Sequence, residues 1–498
     1  MSETTAPIYA PSLYWFAYQY HSGLVTSTDA KPPQNLEATI NPQWVKARYQ
    51  KILDAFEVDV ALHLREDEPS QHFDLLTLYD DARSIKFFTT KDDKLEGFIY
   101  PQSLHDSYAL NLNIYQPETP GKDKYKIADL GKFNPDNCFH PEPDSTSNLG
   151  QTLLLSAYLN QKSPENIRDL EPLARQCWLS FFQPENPEKF PSFYRAYNLF
   201  GGYLYEYGNP RADLQENPYG HLLIWFLFEE QPTLTLKKCY WDLPELLLYY
   251  HKICKAFQDS RIYYDRADRI VTDNETELNQ FNQNYLDRAT GETLTADDLN
   301  TLKITLKKLL TASLDYSKQL RNLEYARNTI AINAKNYQAT LERMEQLAQT
   351  PAEGWRLFAQ KEAPTFQEQI RADLNYFQPG YHLLDTTIST IRGLVEIDQA
   401  ERDRQIQETN QNLQDNLQAI GVGIAGGAIV GSSTGLVFQS QQMTFPWQQE
   451  HGKYPHPFFI AVFISILCSV AAWWGAKRLI KRFKKKRSRS LTHPTTPG

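Results

Sequence analysis

A charge-free segment near the C-terminus, Leu417–Phe438, constrains this chain more than any other feature. Its sequence, LQAIGVGIAGGAIVGSSTGLVF, is about as long as a helix that crosses a bilayer, roughly 20 residues. Small residues fill much of it, and Gly423, Gly427, Gly431 and Gly435 recur at every fourth position. In a helix these four residues, the glycine strip, share one flank where a second helix can approach closely. We therefore expect a membrane helix with a packing surface.

A second apolar segment, Phe458–Ala476, follows the loop 439–457 and ends with two interfacial tryptophans. The positive-inside rule places the basic tail, 477–498, in the cytoplasm, and two spans place the N-terminal body there as well. We expect a multi-pass protein of the plasma (inner) membrane with both termini cytoplasmic. The tail would contact lipids through Lys477, Arg478, Lys481, Arg482, Lys484, Lys485, Lys486, Arg487 and Arg489.

Charge divides the rest of the chain from this tail. The formal net charge is −9, so without the nine positive charges of the tail the remainder carries −18. An acidic body argues against nucleic acid as the main partner.

The five cysteines lack metal-ligand spacing and indicate a reducing compartment. The first residues, MSETTAPIYAPS, lack the basic start and apolar run of a secretory signal.

The N-terminal half mixes strand and helix patterns, which predicts an α+β fold class. We expect residues 1–12 to be disordered and 13–240 to form an α/β body, with a lobe boundary in the Pro-rich and Asp-rich segment 116–148. Strands are predicted at Leu13–Tyr20, Val58–Leu64, Leu95–Tyr100, Ala109–Tyr115, Gly202–Tyr207 and His221–Phe228, and helices at Pro42–Phe56 and Glu165–Phe182.

Residues 241–416 read mostly as helix and predict a stalk. From Leu299 to Ala348, apolar residues recur at alternating steps of three and four, interrupted by Ser313 and Arg327. This pattern predicts a coiled-coil helix roughly 75 Å long, with its partner in the same chain. The partner begins near Thr365, and Pro379 is expected to kink it. Since neither Gly nor Pro interrupts 396–416, we expect this helix to continue into the first span, 417–438.

This order of parts resembles the CorA superfamily of divalent-cation channels. The closest local likeness is Gly452–Val462 (GKYPHPFFIAV) together with the basic KRLIKRFKKKR, and the resemblance covers about 365–490. It implies a homo-oligomer, pentameric by analogy, that passes cations. The family closes its first span with Gly-Met-Asn, whereas this span ends Gly435-Leu436-Val437. Magnesium selectivity is therefore not carried over.

Polar residues at both ends of the first span are candidates to line a pore, because amides replace part of a cation's hydration shell. Their alternative role is that of ordinary solvated helix ends. For the glycine strip, the alternative to contact between subunits is packing against the second span of the same subunit. The pore-lining candidates are Asn412, Asn416, Ser432, Ser433, Thr434, Gln439, Gln441 and Gln442.

Catalytic motifs have little support. Gly421–Gly426 (GVGIAG) and Gly431–Gly435 (GSSTG) match a dinucleotide fingerprint and a nucleophile elbow by letter, but both lie inside a charge-free span rather than after a strand. The acidic pair Asp297-Asp298 is expected to cap a helix rather than bind metal. We therefore expect no enzyme activity, no cofactor and no metal site.

Two functions follow from these observations. The first is an oligomeric channel or transporter of CorA-like architecture, with altered cation selectivity and gating through the stalk. The alternative is a non-conducting, membrane-anchored scaffold or signalling protein whose body recruits a cytoplasmic partner. The oligomeric state separates the two.

Overall fold

The structure is a computed structural model. It describes residues 7–21, 23–25, 34–36, 43–64, 72–76, 85–91, 94–117, 124–141, 148–212, 217–281, 283, 285, 294–437 and 457–490. Side chains are described for these residues except 23–25, 34–36, 72–73, 189, 433–437, 457 and 484–490.

A mixed sheet forms the centre of the N-terminal domain. Among the described residues, ten strands join it in the order β10-β11-β12-β9-β1-β7-β6-β4, with β5 paired to β6 and β8 paired to β1. The pairing is antiparallel except between β12 and β9. The strands are β1 (Ile8–Tyr20), β4 (His72–Asp74), β5 (Lys86–Thr89), β6 (Glu96–Leu104), β7 (Ser107–Tyr115), β8 (Lys124–Tyr125), β9 (Asn148–Leu159), β10 (Phe193–Leu199), β11 (Gly202–Tyr207) and β12 (His221–Leu227); β2 (Gly23–Val25) and β3 (Gln34–Leu36) form a separate pair.

The sheet confirms an α+β domain and corrects three details of the prediction. Residues 8–12 are not disordered, because β1 begins at Ile8 and pairs with β8 and β9. No lobe boundary lies in 116–148, since β9 hydrogen-bonds to both β1 and β12 and joins the two halves in one sheet. The segment Val58–Leu64 forms only an isolated bridge at Leu64. In addition, the prediction did not include β2 to β5 or β8 to β10.

The core explains why these strands associate. Trp15, Trp178 and Trp225 are among the largest fully buried side chains. All seven residues of β12 are buried, as expected for a strand covered on both faces. Alternation of buried apolar residues in β1 and β9 places one face of the sheet against α1 and α2.

Long helices make up most of the remaining chain. The helices are α1 (Gln43–Ala55), α2 (Glu171–Phe182), α3 (Gln231–Cys239), α4 (Leu243–Phe281), α5 (Ala296–Ala348), α6 (Glu353–Leu357), α7 (Ala363–Val437) and α8 (Pro457–Ser490), with a π turn at Phe358–Glu362 between α6 and α7. The predicted passage of one helix from the stalk to the glycine strip is confirmed, because α7 runs unbroken for 75 residues with Pro379 inside it.

The heptad pattern of α5 matches its burial. Every seventh residue from Leu302 to Met344 is at most 2% exposed. These residues are Leu302, Leu309, Tyr316, Leu323, Ile330, Tyr337 and Met344. The start of the helix is capped as predicted, since Thr295 and Asp298 exchange hydrogen bonds between side chains and backbone N–H groups. The long helix is thus confirmed, whereas coiled-coil supercoiling stays a prediction.

The chain divides into two compact units. The first contains residues 1–287 and 309–386, and the second contains 288–308 and 387–498. In the first unit, α5 contacts α7 where the Tyr316 hydroxyl donates a 2.6 Å hydrogen bond to the Phe377 carbonyl oxygen. In the second, Arg402 donates to the Leu294 carbonyl oxygen at 2.7 Å.

Candidate functional site

One helix of the second unit is long and apolar enough to cross a membrane, as far as the described residues show. It spans Phe458–Phe483 within α8, and none of its apolar window is buried. This agrees with the predicted second span, 458–476, and extends it into the basic tail. The first span, 417–438, lies in the helix α7 up to Val437, and its membrane insertion stays a prediction.

The glycine strip contacts α8 of the same chain. A β-carbon built on Gly423 would lie 3.0 Å from both the Ser469 carbonyl oxygen and the Trp473 β-carbon. One built on Gly427 would overlap the Ser469 hydroxyl, and one on Gly431 would lie 3.4 Å from the Ser465 hydroxyl. The two helices therefore form an antiparallel hairpin with glycine at each contact. This is the intrachain packing that the sequence left open for Gly423, Gly427 and Gly431. Contact of the glycine strip with another subunit stays a prediction.

A hydrogen bond reinforces the hairpin. The Ser465 hydroxyl donates to the Gly427 carbonyl oxygen at 2.7 Å. Ser465, Ser469 and Ala472 recur at steps of four and three along α8, so small residues face small residues across the contact. Close approach of two backbones through small residues is a common way in which helices pair in a bilayer.

The opposite side of α7 has a row of small and polar residues, which lies between exposed apolar residues such as Leu417 and Ile429. Five residues spaced three and four apart share a face about half a turn from the glycine strip. They are Gln418, Gly421, Ala425, Ala428 and Ser432. All five are exposed, and nothing lies within 4 Å of the position of a β-carbon on Gly421. We call these five residues the outer face of α7. The span thus has two small-residue faces, of which α8 covers one.

Of the pore-lining candidates with described side chains, Ser432 lies on this outer face, whereas Asn412 and Asn416 do not. Asn412 and Asn416 precede Gly423 by eleven and seven residues, which puts them on the side of the glycine strip. Ser432 lies on the outer face, where its hydroxyl donates to the Ile429 carbonyl oxygen at 3.0 Å. Ser433, Thr434 and Gly435 lie in the last turns of α7, without described side chains, and Gln439, Gln441 and Gln442 lie outside the described residues.

The basic tail continues α8 as helix to Ser490. Lys477 lies 5.0 Å from the centre of the Trp473 ring, and Arg478 lies 4.9 Å from that of Trp474. These cation–π contacts join the interfacial tryptophans to the first basic residues. Lys481 and Arg482 are exposed one turn later, whereas the side chains of Lys484, Lys485, Lys486, Arg487 and Arg489 lie outside the described part.

A second candidate site lies inside the N-terminal domain. Five side chains form a continuous series of hydrogen bonds, which we call the buried polar chain. They are Arg195, Glu206, His221, Thr152 and His251. Arg195 Nε donates to Glu206 Oε2 at 2.5 Å, and His221 Nε2 lies 3.1 Å from Glu206 Oε1. The Thr152 hydroxyl lies 3.0 Å from His221 Nδ1 and 2.8 Å from His251 Nε2. The buried polar chain crosses β10, β11, β12 and β9 and ends on α4.

Strand register explains how these residues meet. Arg195 is paired with Glu206 in the β10–β11 ladder, and His221 is opposite Thr152 in the parallel β12–β9 ladder. Gly150 lets α4 approach β9, because it has φ +123° and a β-carbon there would lie 2.7 Å from His251 Nδ1. No local motif in the sequence indicates the buried polar chain, since its five residues come from four different strands and one helix.

Charged neighbours and burial set the pKa directions of Glu206 and His251. Burial alone would raise the pKa of Glu206, but Arg195 and His221 outweigh it and hold this pKa below its ordinary value. An ionised Glu206 accepts hydrogen bonds from Arg195 Nε–H and from His221 Nε2–H. The Thr152 hydroxyl bridges His221 Nδ1 and His251 Nε2. Burial, with a contribution from His221, lowers the pKa of His251 well below its ordinary value, so this imidazole is neutral.

The acid–imidazole–hydroxyl order of Glu206, His221 and Thr152 is also that of hydrolase triads. Here Thr152 is 0% exposed and contacts a histidine on each side. A substrate therefore has no access to the hydroxyl. The arrangement fits an internal brace between the sheet and α4 better than a nucleophile.

The described residues define a protein with an α+β domain, long helices and a C-terminal helical hairpin that contains one candidate membrane helix. No protein-family model matches the chain, and no curated protein has a significant match to its sequence. The CorA-like assignment thus rests on the order of parts and stays a prediction.

Proposed function

We propose that the protein is an oligomeric membrane channel of CorA-like architecture, in which α7 surrounds the central axis and α8 faces lipid. The observation that carries the proposal is the outer face of α7. Its small and polar residues are exposed on the side away from α8, while Phe459, Phe463 and Ile466 of α8 are suited to lipid. Packing between copies of the outer face, or water along it, suits these residues better than acyl chains do.

The length of α7 supports gating from the cytoplasm. The same helix contains Phe377, which contacts α5 in the first unit, and Gly427, which contacts α8 in the second. No loop interrupts α7 between these two residues, so a rotation or shift at one end would be passed along the helix. A change in the N-terminal domain would in this way reach the outer face. The ions that pass are cations, by the resemblance to CorA proteins.

One observation favours the second candidate, a membrane-anchored scaffold. The glycine strip is occupied by α8 of its own chain, so the hairpin is complete without a neighbouring subunit. An anchor of this kind would hold the acidic domain near the membrane surface, where it recruits a cytoplasmic partner. The scaffold has no need of an oligomer built on the outer face.

The substitution Gly421→Leu separates the two functions. It places a large side chain on the outer face, where the chain itself leaves room. For the channel, native mass spectrometry of detergent-solubilised protein should give a ring for the wild type and smaller species for G421L. Gly475→Leu is the matched control, since Gly475 in α8 also has no neighbour within 4 Å and lies outside the outer face. A monomeric wild type, or a ring without cation flux in liposomes, contradicts the channel.

A further inference from the structure

A groove of about 310 Å³ opens to solvent in the N-terminal domain. It lies between the end of β6, the first turn of α4 and the last turns of α5. Its lining includes Gln102, Trp241, Asp242, Glu245 and Arg343. The groove is separate from the buried polar chain and from the helical hairpin, and neither proposed function uses it.

The two carboxylates of the groove already hold a guanidinium group. Arg343 Nε donates to Asp242 Oδ1 at 2.8 Å, and Arg343 Nη2 donates to Glu245 Oε2 at 2.7 Å. The acids are fixed in place, because their side chains are 17% and 20% exposed and Tyr249 donates a 2.8 Å hydrogen bond to Glu245. The arginine is 51% exposed and reaches them from a different helix. It is thus the more easily displaced member of the group.

An aromatic side chain completes the groove. Trp241 is 44% exposed, although it is a large apolar residue. Tyr100 and Tyr240 hold its ring at interplanar angles of 82° and 80°, with ring centres 5.3 Å and 5.0 Å away. The indole is therefore positioned rather than loose. Tryptophan is the aromatic residue that attracts cations most strongly.

We propose that this groove binds a small organic cation with a guanidinium or primary ammonium group. The cation takes the place of the Arg343 guanidinium between Asp242 and Glu245 and contacts the ring of Trp241. Two carboxylates against one arginine leave the lining with a net negative charge, which disfavours anions. The bound position of Arg343 shows that the acids are spaced to bind such a group bidentately.

Binding has a consequence for the stalk. Arg343 lies on α5, whereas Asp242 and Glu245 lie at the start of α4. A cation in the groove releases this ion-pair link between the two helices. The site thus connects a soluble ligand to the helices of the first unit, whichever of the two functions holds.

The test is calorimetric titration of the full chain in detergent with agmatine, which has both a guanidinium and an ammonium group. The decisive variant is Arg343→Ala. It removes the internal competitor, and since exposed ion pairs contribute up to about 1 kcal/mol, agmatine should bind about fivefold more tightly. Trp241→Ala should weaken binding about fourfold through the lost cation–π contact. Arg356→Ala is the matched control, because Arg356 pairs with Glu345 outside the groove and its loss should leave the affinity unchanged.

Three outcomes overturn the proposal. One is the absence of binding heat for both the wild type and R343A at millimolar agmatine. Another is weaker or unchanged binding by R343A, which would make the arginine a ligand contact or a bystander. The third is tighter binding by R356A to the same extent as R343A, which would reveal a general charge effect. Trp241 is half exposed, so W241A tests the site without removing a core residue.

Discussion

The Ser465 hydroxyl donates a 2.7 Å hydrogen bond to the main-chain carbonyl oxygen of Gly427. A side chain at residue 427 would occupy the space of the neighbouring Ser469 hydroxyl, so this bond depends on the missing β-carbon. Interhelical hydrogen bonds in membranes contribute about 0.6–2 kcal/mol each. The glycine strip therefore provides both a close approach and an exposed backbone acceptor.

We expect Gly427→Leu to destabilise the hairpin by about 1–3 kcal/mol, the usual cost of forcing extra atoms into a packed contact. The larger side chain has to push α8 away, and the Ser465 hydrogen bond is lost with it. Thermal unfolding in detergent, followed by helical circular dichroism, should show a lower midpoint. Gly475→Leu should keep the midpoint, because Gly475 has no neighbour within 4 Å. Equal midpoints for G427L and G475L would show that the hairpin is not held at Gly427.

Local patterns predicted the helices well. The uninterrupted polar segment 396–416 predicted that α7 would be continuous, and the heptad from Leu299 predicted the buried side of α5. Helix continuity and helix faces are properties of nearest neighbours along the chain, at steps of three and four. Both properties can therefore be predicted from the sequence alone.

Long-range partners could not be predicted in the same way. The spacing of Gly423 and Gly427 indicates a face for close packing, but a second copy or α8 would fill it equally well. Thr152, Glu206 and His251 show no shared spacing, because strand pairing brings them together. The predicted lobe boundary in 116–148 failed for a similar reason: its loop composition indicates no regular structure, yet β9 beyond it returns to pair with β1.

We expect Glu206→Gln to destabilise the N-terminal domain by about 3–5 kcal/mol, the usual cost of breaking a buried ion pair. The Glu206 side chain is 1% exposed, and its loss of charge leaves Arg195, which is 14% exposed, with one remaining acid, Glu362, at 3.5 Å. Guanidinium denaturation followed by tryptophan fluorescence measures the change. As a control, Lys318→Ala breaks an exposed pair with Asp315 and should leave the curve in place. Similar denaturation curves for E206Q and K318A would contradict the stabilising role of the buried polar chain.

We expect Tyr316→Phe to cost about 1–1.5 kcal/mol, because it removes the hydroxyl that donates to the Phe377 carbonyl oxygen at 2.6 Å. Tyr316 is 0% exposed, so water has no access to replace the bond. Tyr325→Phe is the matched control on the same helix, where the tyrosine is 50% exposed and no change is expected. The same denaturation assay compares the two variants. A shift for Y325F equal to that for Y316F would refute the importance of this contact between α5 and α7.

The N-terminal domain should lose stability as the pH falls below about 6.5, because His251 is buried in its neutral form. Its pKa lies well below the ordinary value of 6.5 in the folded chain, whereas in the unfolded chain the imidazole takes up a proton near that value. The unfolded state then binds more protons, so the free energy of unfolding decreases by up to about 1.4 kcal/mol per pH unit for this residue. Burial lowers the pKa of His21 and His140 as well, and they add to the slope.

His251→Gln isolates the contribution of this residue. The glutamine amide has both a donor and an acceptor for Thr152 but binds no proton. The slope of the unfolding free energy between pH 5 and 6.5 should therefore fall by the contribution of one proton, up to about 1.4 kcal/mol per pH unit. Glu206 stays ionised in this window, because Arg195 and His221 hold its pKa below the ordinary 4.5. His382→Gln, at an exposed histidine, is the control for the same substitution outside the buried polar chain. If H251Q kept the wild-type slope, His251 would be protonated inside the folded domain, and its assignment as a buried neutral imidazole would be wrong.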